Sequence, residues 1–395
     1  MSITIVSSLP ALLPVGNSDV VVVSSDLTAS ANFRYICDVS GSTASARLKC
    51  DKLPSTSFGF FGVSKVVETL ILPAVPQTTS GWQSGGYAVK ANLTFREEYG
   101  NPPTVATGGT ASASLIAWQA AFRQQDYNTA IANPSTYYAE TVSGDAIAQK
   151  TISNRPASST VTSGTNDFIG IVMNDTNVTG VCIRVEYSTG RNFIVSGTVS
   201  GCSMLINAGP RGLYNLTSGQ TSDTQAGAIN FPSQGGSITV RAAFNTAGIF
   251  TAVSRTGIYT YTIDNCERYD QLRVYFRNMY GGIDGYTFTK KNRQSVNVNR
   301  QTYGYNNTVY GDDQFDKQWS VTYRDTYNLQ SDWLSDAEFS WLQEMVYSPE
   351  CWIELSGALV PVVVQTNTYN IMKRINDRLQ AITVDVQVGY ENTAL

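Results

Sequence analysis

The amino-acid sequence predicts a mainly β protein, with tandem β-sandwich-like domains followed by a small α+β C-terminal module that has one helix. Short alternating or apolar runs recur between turn-forming residues along most of the chain. The 395 residues include 32 Gly and 22 Tyr and only 15% charged residues, which is typical of β-rich chains with polar surfaces. One segment near the C-terminus carries a complete helix-start signal.

The first predicted domain, residues 1–100, is a β-sandwich. Its short apolar or alternating runs have the regular spacing of sandwich strands. The predicted strands are Ile3–Ser7, Val20–Ser24, Phe33–Val39, Ala46–Cys50, Val66–Leu72 and Tyr87–Arg96. The segment from Glu97 to Pro103 ends this domain, because proline cannot donate to a sheet ladder and restricts the residue before it.

Residues 101–285 form the second predicted domain, which is β-rich and contains a long Gly/Ser/Thr-rich loop. A short helix is predicted over Leu115–Tyr127 from the spacing of its apolar residues. The predicted strands are Phe168–Met173, Val181–Tyr187, Asn192–Val199, Ser237–Phe244 and Gly257–Ile263. The passage Gly209–Gly236 is interpreted as an exposed loop or arm.

The third predicted domain, residues 286–395, combines strands with a helix that begins at Ser335. Ser335 at the N-cap and Glu338 at N3 form a capping box. Apolar residues at helical spacing follow, and Pro349 prevents much continuation. The predicted strands are Trp319–Tyr323, Cys351–Leu355, Val360–Gln365 and Leu379–Tyr390.

The segment Tyr269–Tyr303 shows the strongest β-hairpin pattern of the chain. Leu272, Val274 and Phe276 alternate with polar or charged residues, and the pattern continues at Tyr286 and Phe288. The intervening Gly281-Gly282-Ile283-Asp284 is predicted to be the turn, in which the two glycines supply positive φ angles. Asp284 is interpreted as a turn-former and not as a catalytic acid.

Catalytic and metal-binding patterns are sparse in this sequence. The chain contains no histidine, which excludes Ser-His-Asp and Cys-His catalysis and imidazole zinc sites. No phosphate-binding loop motif occurs, so we predict no cofactor. Two groups of carboxylates remain as glycosidase candidates, with solvated loop acids as the alternative interpretation. The first group is Glu97 with Glu98, and the second is Asp312, Asp313 and Asp316. The spacing of the second group matches no complete calcium-binding motif.

The cysteines and tryptophans are interpreted mainly as core residues. The six cysteines show no C-x-x-C spacing, and we expect most to be buried thiols. Pairing of Cys37 with Cys50, or of Cys182 with Cys202, stays open. The six tryptophans lie mostly in periodic patterns, which favours core packing over a ligand platform.

Charge and hydropathy limit the expected partners. The formal net charge is −4, so general electrostatics do not favour nucleic acid. Lys290, Lys291, Arg293 and Arg300 form either a solvated strand face or a contact with a negative surface. No apolar run is long enough to span a bilayer, and the N-terminal residues lack a secretory signal. We therefore expect no membrane insertion.

The order of several motifs resembles a family of virion proteins found in tailed phages of Bacteroidota. The similarity covers the last third of the chain and, more faintly, Phe33–Asp38. The matching positions are Phe276, Asn278, Gly281, Gly282, Asp284, Tyr286, Phe288, Trp333, Leu334, Glu338, Ser348, Pro349 and Glu350. In that family a strand, a glycine turn and an aromatic strand precede a helix with the pattern Trp-Leu-x-x-x-Glu.

This resemblance implies a non-enzymatic structural component of a bacteriophage particle, most simply a tail, baseplate or collar protein that forms a symmetric ring. The expected partners are further copies of the chain and other virion proteins, and the expected location is the virion, assembled in the host cytoplasm. The alternative function is a receptor- or carbohydrate-binding protein at a tail tip or vertex, which would bind a host surface glycan. The Tyr-, Asn- and Thr-rich stretch Gln301–Asn307 suits either a subunit contact or a recognition surface.

Overall fold

The fold is mainly β, as the sequence predicts. A computed structural model describes residues 3–17, 19–41, 44–73, 75–79, 81–84, 86–127, 139–142, 145–149, 152–172, 180–188, 192–198, 202–216, 222–223, 235–246, 249–252, 258–265, 269–304, 316–366 and 381–394. Within these residues, three sandwich or sheet-and-helix modules pack around separate apolar clusters.

The first module is a β-sandwich. Its strands are β1 (Thr4–Ser7), β2 (Leu12–Pro14), β3 (Val20–Ser24), β4 (Arg34–Ser40), β5 (Ser45–Cys50), β6 (Phe58–Gly62), β8 (Ala88–Tyr99), β9 (Thr104–Val105) and β10 (Ala111–Trp118). A three-stranded sheet, in the order β1-β3-β6, faces a sheet in the order β2-β10-β8-β4-β5. Val21, Val23 and Phe61 of the smaller sheet lie in one core with Tyr35, Leu93 and Phe95 of the larger.

Two local predictions in this region are wrong. Residues Val66–Leu72, predicted to be a strand, contain helix α1 (Ser64–Glu68) instead. In the predicted helix Leu115–Tyr127, the first four residues end strand β10, and only 124–127 are helical. Both segments are short and apolar, and such runs do not separate helix from strand until tertiary pairing is known.

The second module is a larger sandwich. Its strands are β7 (Trp82–Ser84), β13 (Ser158–Val161), β14 (Phe168–Val172), β15 (Gly180–Tyr187), β16 (Asn192–Thr198), β17 (Ser203–Asn207), β18 (Ser222–Asp223), β19 (Ser237–Thr246), β20 (Ile249–Ala252) and β21 (Ile258–Ile263). The strands β11 (Ala139–Val142) and β12 (Asp145–Gln149) form a separate two-stranded sheet. The sheet β13-β21-β19-β15-β16-β18 packs against β14-β17-β7. The predicted loop Gly209–Gly236 contains helix α2 (Pro210–Leu216) and β18, and its residues 224–234 lie outside the described part.

The third module is an eight-stranded sheet covered by one helix. Its elements are β22 (Leu272–Arg277), β23 (Ile283–Phe288), β24 (Arg293–Gly304), β25 (Asp316–Gln330), helix α3 (Asp336–Val346), β26 (Cys351–Leu355), β27 (Ala358–Val364), β28 (Thr383–Val388) and β29 (Asn392–Ala394). The sheet order is β23-β22-β26-β27-β28-β25-β24, and β29 also pairs with β25. Helix α3 packs its apolar face on β22 through Phe339, Leu342 and Met345.

The sheets cross both predicted domain boundaries. Strand β10 follows the boundary at residue 100 yet pairs with β8 along Ala111–Trp118. The boundary at 285 divides β23, which belongs to the C-terminal sheet with β22. Strand β7 precedes residue 100 but pairs with β17 of the second module. Proline and glycine breaks mark local turns, whereas module membership depends on pairing between distant strands.

A shared apolar cluster joins the three modules. It combines Trp118 of the first, Phe168 of the second, and Tyr275 and Trp352 of the third, all of them buried. Burying a large side chain stabilises a fold by roughly 2 to 3 kcal/mol, so these contacts hold the modules together. None of the helices in the described part of the chain has the length and apolar character needed to cross a bilayer.

Candidate functional site

The predicted hairpin is present, but its turn lies earlier than the sequence suggests. Strands β22 and β23 pair in antiparallel register, with Val274 opposite Tyr286. The turn spans 278–282, where the Asn278 side-chain oxygen accepts from the N–H groups of Tyr280 and Gly282. Asn278 is therefore the residue that shapes the turn.

The two glycines of the turn serve different purposes. Gly281 has a φ of 84°, as predicted, and a Cβ there would also lie 2.1 Å from the Gln119 carbonyl oxygen. Gly282 is not among the residues with positive φ. A Cβ at Gly282 would lie 2.1 Å from the Ile152 carbonyl oxygen. The Gly-Gly pair is thus required because two other modules approach the turn closely, as well as for backbone freedom.

The prediction that Asp284 forms the turn is wrong. Asp284 lies within β23 opposite Phe276 and is fully buried. Its carboxylate accepts from Ser153 Oγ at 2.7 Å, Trp341 Nε1 at 2.8 Å and Asn278 Nδ2 at 2.9 Å. Burial raises the pKa of Asp284 even though Arg155 and these three donors oppose the shift. Asp284 therefore connects the segment at Ser153, helix α3 and the turn.

Helix α3 contributes a second buried carboxylate, Glu344, to the same junction. Its two oxygens accept from Asn154 Nδ2 at 2.6 Å and from the Met279 N–H at 2.9 Å. Burial raises the pKa of Glu344 to about 7, although both hydrogen bonds favour the charged form. Glu344 thus links helix α3 to Asn154 and Met279 through a carboxyl group whose pKa is near neutral.

A buried ion network lies beside this junction. Asp167 accepts from Arg155 Nη1 at 2.5 Å, from Arg273 Nη2 at 2.6 Å and from Tyr261 Oη at 2.7 Å. The three charged side chains are at most 7% exposed. Arg155 also lies over the Tyr259 ring, 3.9 Å from its centroid. Burial lowers the pKa of Arg155, but the electrostatic interactions with Asp167, Tyr261, Tyr259 and Asp284 together outweigh this effect and raise it.

An open cleft of about 670 Å³ lies over the ion network. Arg155, Asp167 and Arg273 form part of its lining, together with the edge strands β13 and β23. Two exposed aromatic residues also line it: Trp333 is 57% exposed and Tyr269 is 40% exposed. This is the size range of ligand-binding pockets.

A smaller cavity of about 380 Å³ lies on the other side of the turn, and Pro349 lines it together with Phe122, Met279 and Tyr347. Apolar and polar residues share its lining, and the charged ones are Glu68, Arg123, Arg277 and the buried Glu344. Arg277 is only 4% exposed and donates to Glu350 from Nη2 at 2.6 Å. The position of Pro349 at the end of α3 therefore places it against the first module.

The remaining predicted motif residues are structural. Phe276 and Phe288 lie in the core under α3, and Tyr286 packs at its edge against Trp341. The capping box is confirmed: the Glu338 N–H donates to Ser335 Oγ, and the Ser335 N–H donates to a Glu338 carboxylate oxygen. The motif residues therefore lie together at a folded junction.

Of the candidate catalytic acids, Glu97 and Glu98 lie in the described part of the chain and do not converge. Glu97 and Glu98 are buried residues of strand β8, 2% and 9% exposed, and not solvated loop acids. Neighbouring strand residues point to opposite faces, and Glu98 is held by Lys49 at 2.8 Å. Asp312 and Asp313 lie outside the described residues, as does the side chain of Asp316. No group of His, Cys, Asp or Glu suited to a metal ion occurs in the described part.

The cysteine and tryptophan interpretations hold only in part. Cys37, Cys50, Cys202 and Cys351 are free thiols, of which Cys37 and Cys351 are buried. The side chains of Cys182 and Cys266 lie outside the described part. Trp118, Trp341 and Trp352 are core residues and Trp82 packs against the second core. Trp319 and Trp333, at 66% and 57% exposed, contradict the core interpretation.

The longest exposed element is the hairpin formed by β24 and β25. Residues 293–302 of β24 are all exposed, and β24 is the terminal strand of its sheet. Val296 and Val298 are 49% and 40% exposed and lie opposite Asp325 and Tyr323. Trp319 lies on β25 at a β-bulge, where no β24 residue is opposite it. The basic residues Arg293 and Arg300 are on this exposed strand. This exposure is what their interpretation as a solvated strand face requires.

Sequence comparisons identify no relatives. No protein-family model matches the chain, and no curated protein sequence is significantly similar to it. The functional interpretation therefore depends on the geometry described above.

Proposed function

We propose that this chain is a non-enzymatic structural component of a bacteriophage particle, a tail, baseplate or collar protein that assembles into a symmetric ring. The observation that carries this proposal is the exposed hairpin of β24 and β25. The outer edge of β24 pairs with no strand in the described part of the chain. A long unpaired edge with exposed apolar residues is a template for pairing with another chain.

The side chains of the hairpin suit a specific contact between copies. Val296, Val298 and Trp319 offer apolar area that a partner surface would remove from water. Arg293 and Arg300 on the same strand oppose uncontrolled edge pairing, because charges have to be matched across an interface. A contact of this kind, repeated by rotation, closes a ring.

The buried junction also supports a structural function. A subunit of a ring has to transmit load between its modules without bending at their joints. The turn at 278–282 contacts Gln119 of the first module and Ile152 of the second, and the cluster around Trp118, Phe168 and Tyr275 is shared by all three modules. Charged groups are buried at this junction only in pairs or networks, which favours a single arrangement of the modules.

The oligomeric state of the purified full-length chain tests this proposal. We expect sedimentation velocity to show concentration-dependent oligomers and negative-stain electron microscopy to show closed rings. The double variant Val296→Lys/Val298→Lys should be monomeric, because the substitutions place two like charges on the contact strand. The matched control is Leu72→Lys, since Leu72 is 71% exposed in the first module and should leave assembly unchanged. A wild-type chain that stays monomeric, or a double variant that still forms rings, contradicts the proposal.

A further inference from the structure

We propose that the cleft lined by Tyr269, Trp333 and the floor residues Arg155 and Arg273 binds a neutral saccharide. This site goes beyond the structural function proposed above and does not depend on assembly. The cleft measures about 670 Å³ and lies where two sheets end side by side. Strand β13 is the edge of the second module's sheet, and β23 is the edge of the third module's sheet.

Aromatic side chains form the apolar part of the cleft. Trp333 and Tyr269 expose more than a third of their surface, although large aromatic residues are usually buried. Tyr286 and Trp341 lie deeper in the same lining. Sugar rings present flat C–H faces surrounded by hydroxyl groups, so flat aromatic surfaces with polar neighbours are the chemistry that binds them. Tyrosine and tryptophan combine an apolar face with a hydrogen-bonding group.

The polar part of the cleft offers hydrogen bonds and little unmatched charge. Lys290 is paired with Asp332 at 3.1 Å, and Glu338 is held in the capping box with Ser335. The two arginines of the floor share Asp167, and Arg155 also lies within electrostatic reach of Asp284. Asp264 also belongs to the lining, which therefore holds three cationic and four anionic residues. Because these charges nearly balance, the lining favours a neutral ligand over an ionic one.

The floor is built from buried side chains that hydrogen-bond to one another. Arg273 donates from Nη1 to Thr287 and from Nη2 to Asp167, and is 7% exposed. Its Nε has no hydrogen-bond partner among the described residues, which is uncommon for a buried polar atom. Gly285 makes room for this side chain, because a Cβ there would lie 2.8 Å from Arg273 Nη2. A fixed set of donors lowers the entropic cost of binding a ligand.

An extended peptide added to β13 or β23 is the competing occupant. Peptides that extend a sheet gain specificity from apolar pockets for alternate side chains. The aliphatic lining of this cleft consists of Pro156 and Leu334, and Leu334 is only 2% exposed. Serine, threonine and glutamine side chains form much of the remaining wall, at Ser158, Ser159, Thr160, Gln271, Thr287 and Thr289. These groups match sugar hydroxyls better than they match peptide side chains.

Calorimetric titration of the full-length chain tests the cleft. The probes are linear oligosaccharides of glucose, galactose and mannose, with an oligomer of galacturonic acid as the charged comparison. We expect saturable binding of at least one neutral probe, accompanied by a change in tryptophan fluorescence. Trp333→Ala should weaken binding by about tenfold or more. Trp333→Phe, which keeps a ring face, should give an intermediate affinity.

The matched control is Trp319→Ala, which removes a tryptophan that is 66% exposed from the β24 and β25 hairpin. It should leave saccharide affinity unchanged, because free oligosaccharides are monovalent and their binding does not depend on assembly. The proposal is overturned if no neutral probe binds or if Trp333→Ala leaves the affinity unchanged. It is also overturned if a strand-forming peptide binds in the cleft and the saccharides do not. Loss of assembly with intact saccharide binding would contradict only the structural function.

Discussion

The two edges of the C-terminal sheet have opposite environments although both are hairpins of alternating sequence. At one edge, β22 and β23 are buried on both faces, and their charged residues Arg273, Arg277 and Asp284 are at most 7% exposed. At the other edge, β24 is exposed along 293–302, including Val296 and Val298. Charged groups therefore lie inside at the first edge and apolar groups lie outside at the second.

This contrast follows from what each edge contacts. The edge at β23 is covered by residues 152–155 and by Gln119, so its polar side chains find partners in other modules. A buried charge persists only when it is paired or hydrogen-bonded. Asp167 pairs with Arg273 and Glu350 pairs with Arg277, whereas Asp284 accepts hydrogen bonds from neutral donors such as Asn278. The edge at β24 has no such cover in the described part of the chain. Burial at a sheet edge is thus a property of the neighbouring modules.

The largest expected effect is at Asp167, whose replacement tests whether buried charges hold the covered edge. Asp167→Asn keeps a hydrogen-bond acceptor but leaves Arg155 and Arg273 buried without a counterion. We expect the free energy of unfolding to fall by about 4 kcal/mol, measured by urea denaturation. The matched change at the exposed edge is Glu391→Gln, since Glu391 contacts Arg324 at 3.8 Å with both side chains more than 40% exposed. That variant should lose less than about 1 kcal/mol. Equal losses in the two variants would remove the distinction between the edges.

The second expected effect is a pH dependence that originates at Glu344. The folded state raises the pKa of this residue from 4.5 to about 7, so the folded protein binds the proton more tightly than the unfolded chain. The contribution of Glu344 to stability is therefore most favourable below pH 4.5 and declines as the pH rises to 7, by about 3 kcal/mol. Glu344→Gln should match the wild type near pH 4 and exceed it in unfolding free energy above pH 7. A difference between the two proteins that does not change with pH would show that Glu344 does not titrate in this way.

The smallest expected effect compares two valines of the same sheet. Val274 on β22 is fully buried, whereas Val298 on β24 is 40% exposed. Replacing valine by threonine exchanges a methyl group for a hydroxyl of nearly the same volume, so the cost depends on whether water or a partner can satisfy the hydroxyl. We expect Val274→Thr to lower the unfolding free energy by about 2 kcal/mol and Val298→Thr to change it by less than about 0.5 kcal/mol. Both single variants are made in the wild-type chain and not in the Val296→Lys/Val298→Lys background. Their thermal unfolding is measured at low protein concentration. Similar costs at both positions would mean that β24 is covered in solution.

Local patterns predicted the elements whose signals lie close together in sequence. The capping box of Ser335 and Glu338 is confirmed because its hydrogen bonds join residues three positions apart. The pairing of β22 with β23 is likewise confirmed, since five residues separate the two strands. The role of Asp284 was missed because its partners Ser153 and Trp341 are 131 and 57 residues away.

The candidate cleft could not be predicted for the same reason. Trp333 belongs to an apolar pattern with Leu334, but the first is 57% exposed and the second 2% exposed. Asp167, Arg155 and Arg273 are isolated charges in the sequence and form no motif. Their network exists because β14, β22 and the segment before β13 meet, with 106 residues between Asp167 and Arg273. The sequence offered one signal of this network: Arg273 is a charged residue that alternates with apolar residues in a strand pattern.

By itself the sequence determined the mainly β class, the hairpin at β22 and β23, and the capped helix α3, because alternation, turn residues and caps act over a few residues. Tertiary structure alone decided the module boundaries, the burial of Arg273 and Asp284, and the exposure of Val298, Trp319 and Trp333. The physical reason is that a residue's environment is set by whichever distant segment packs against it, and no pattern within a strand specifies that segment.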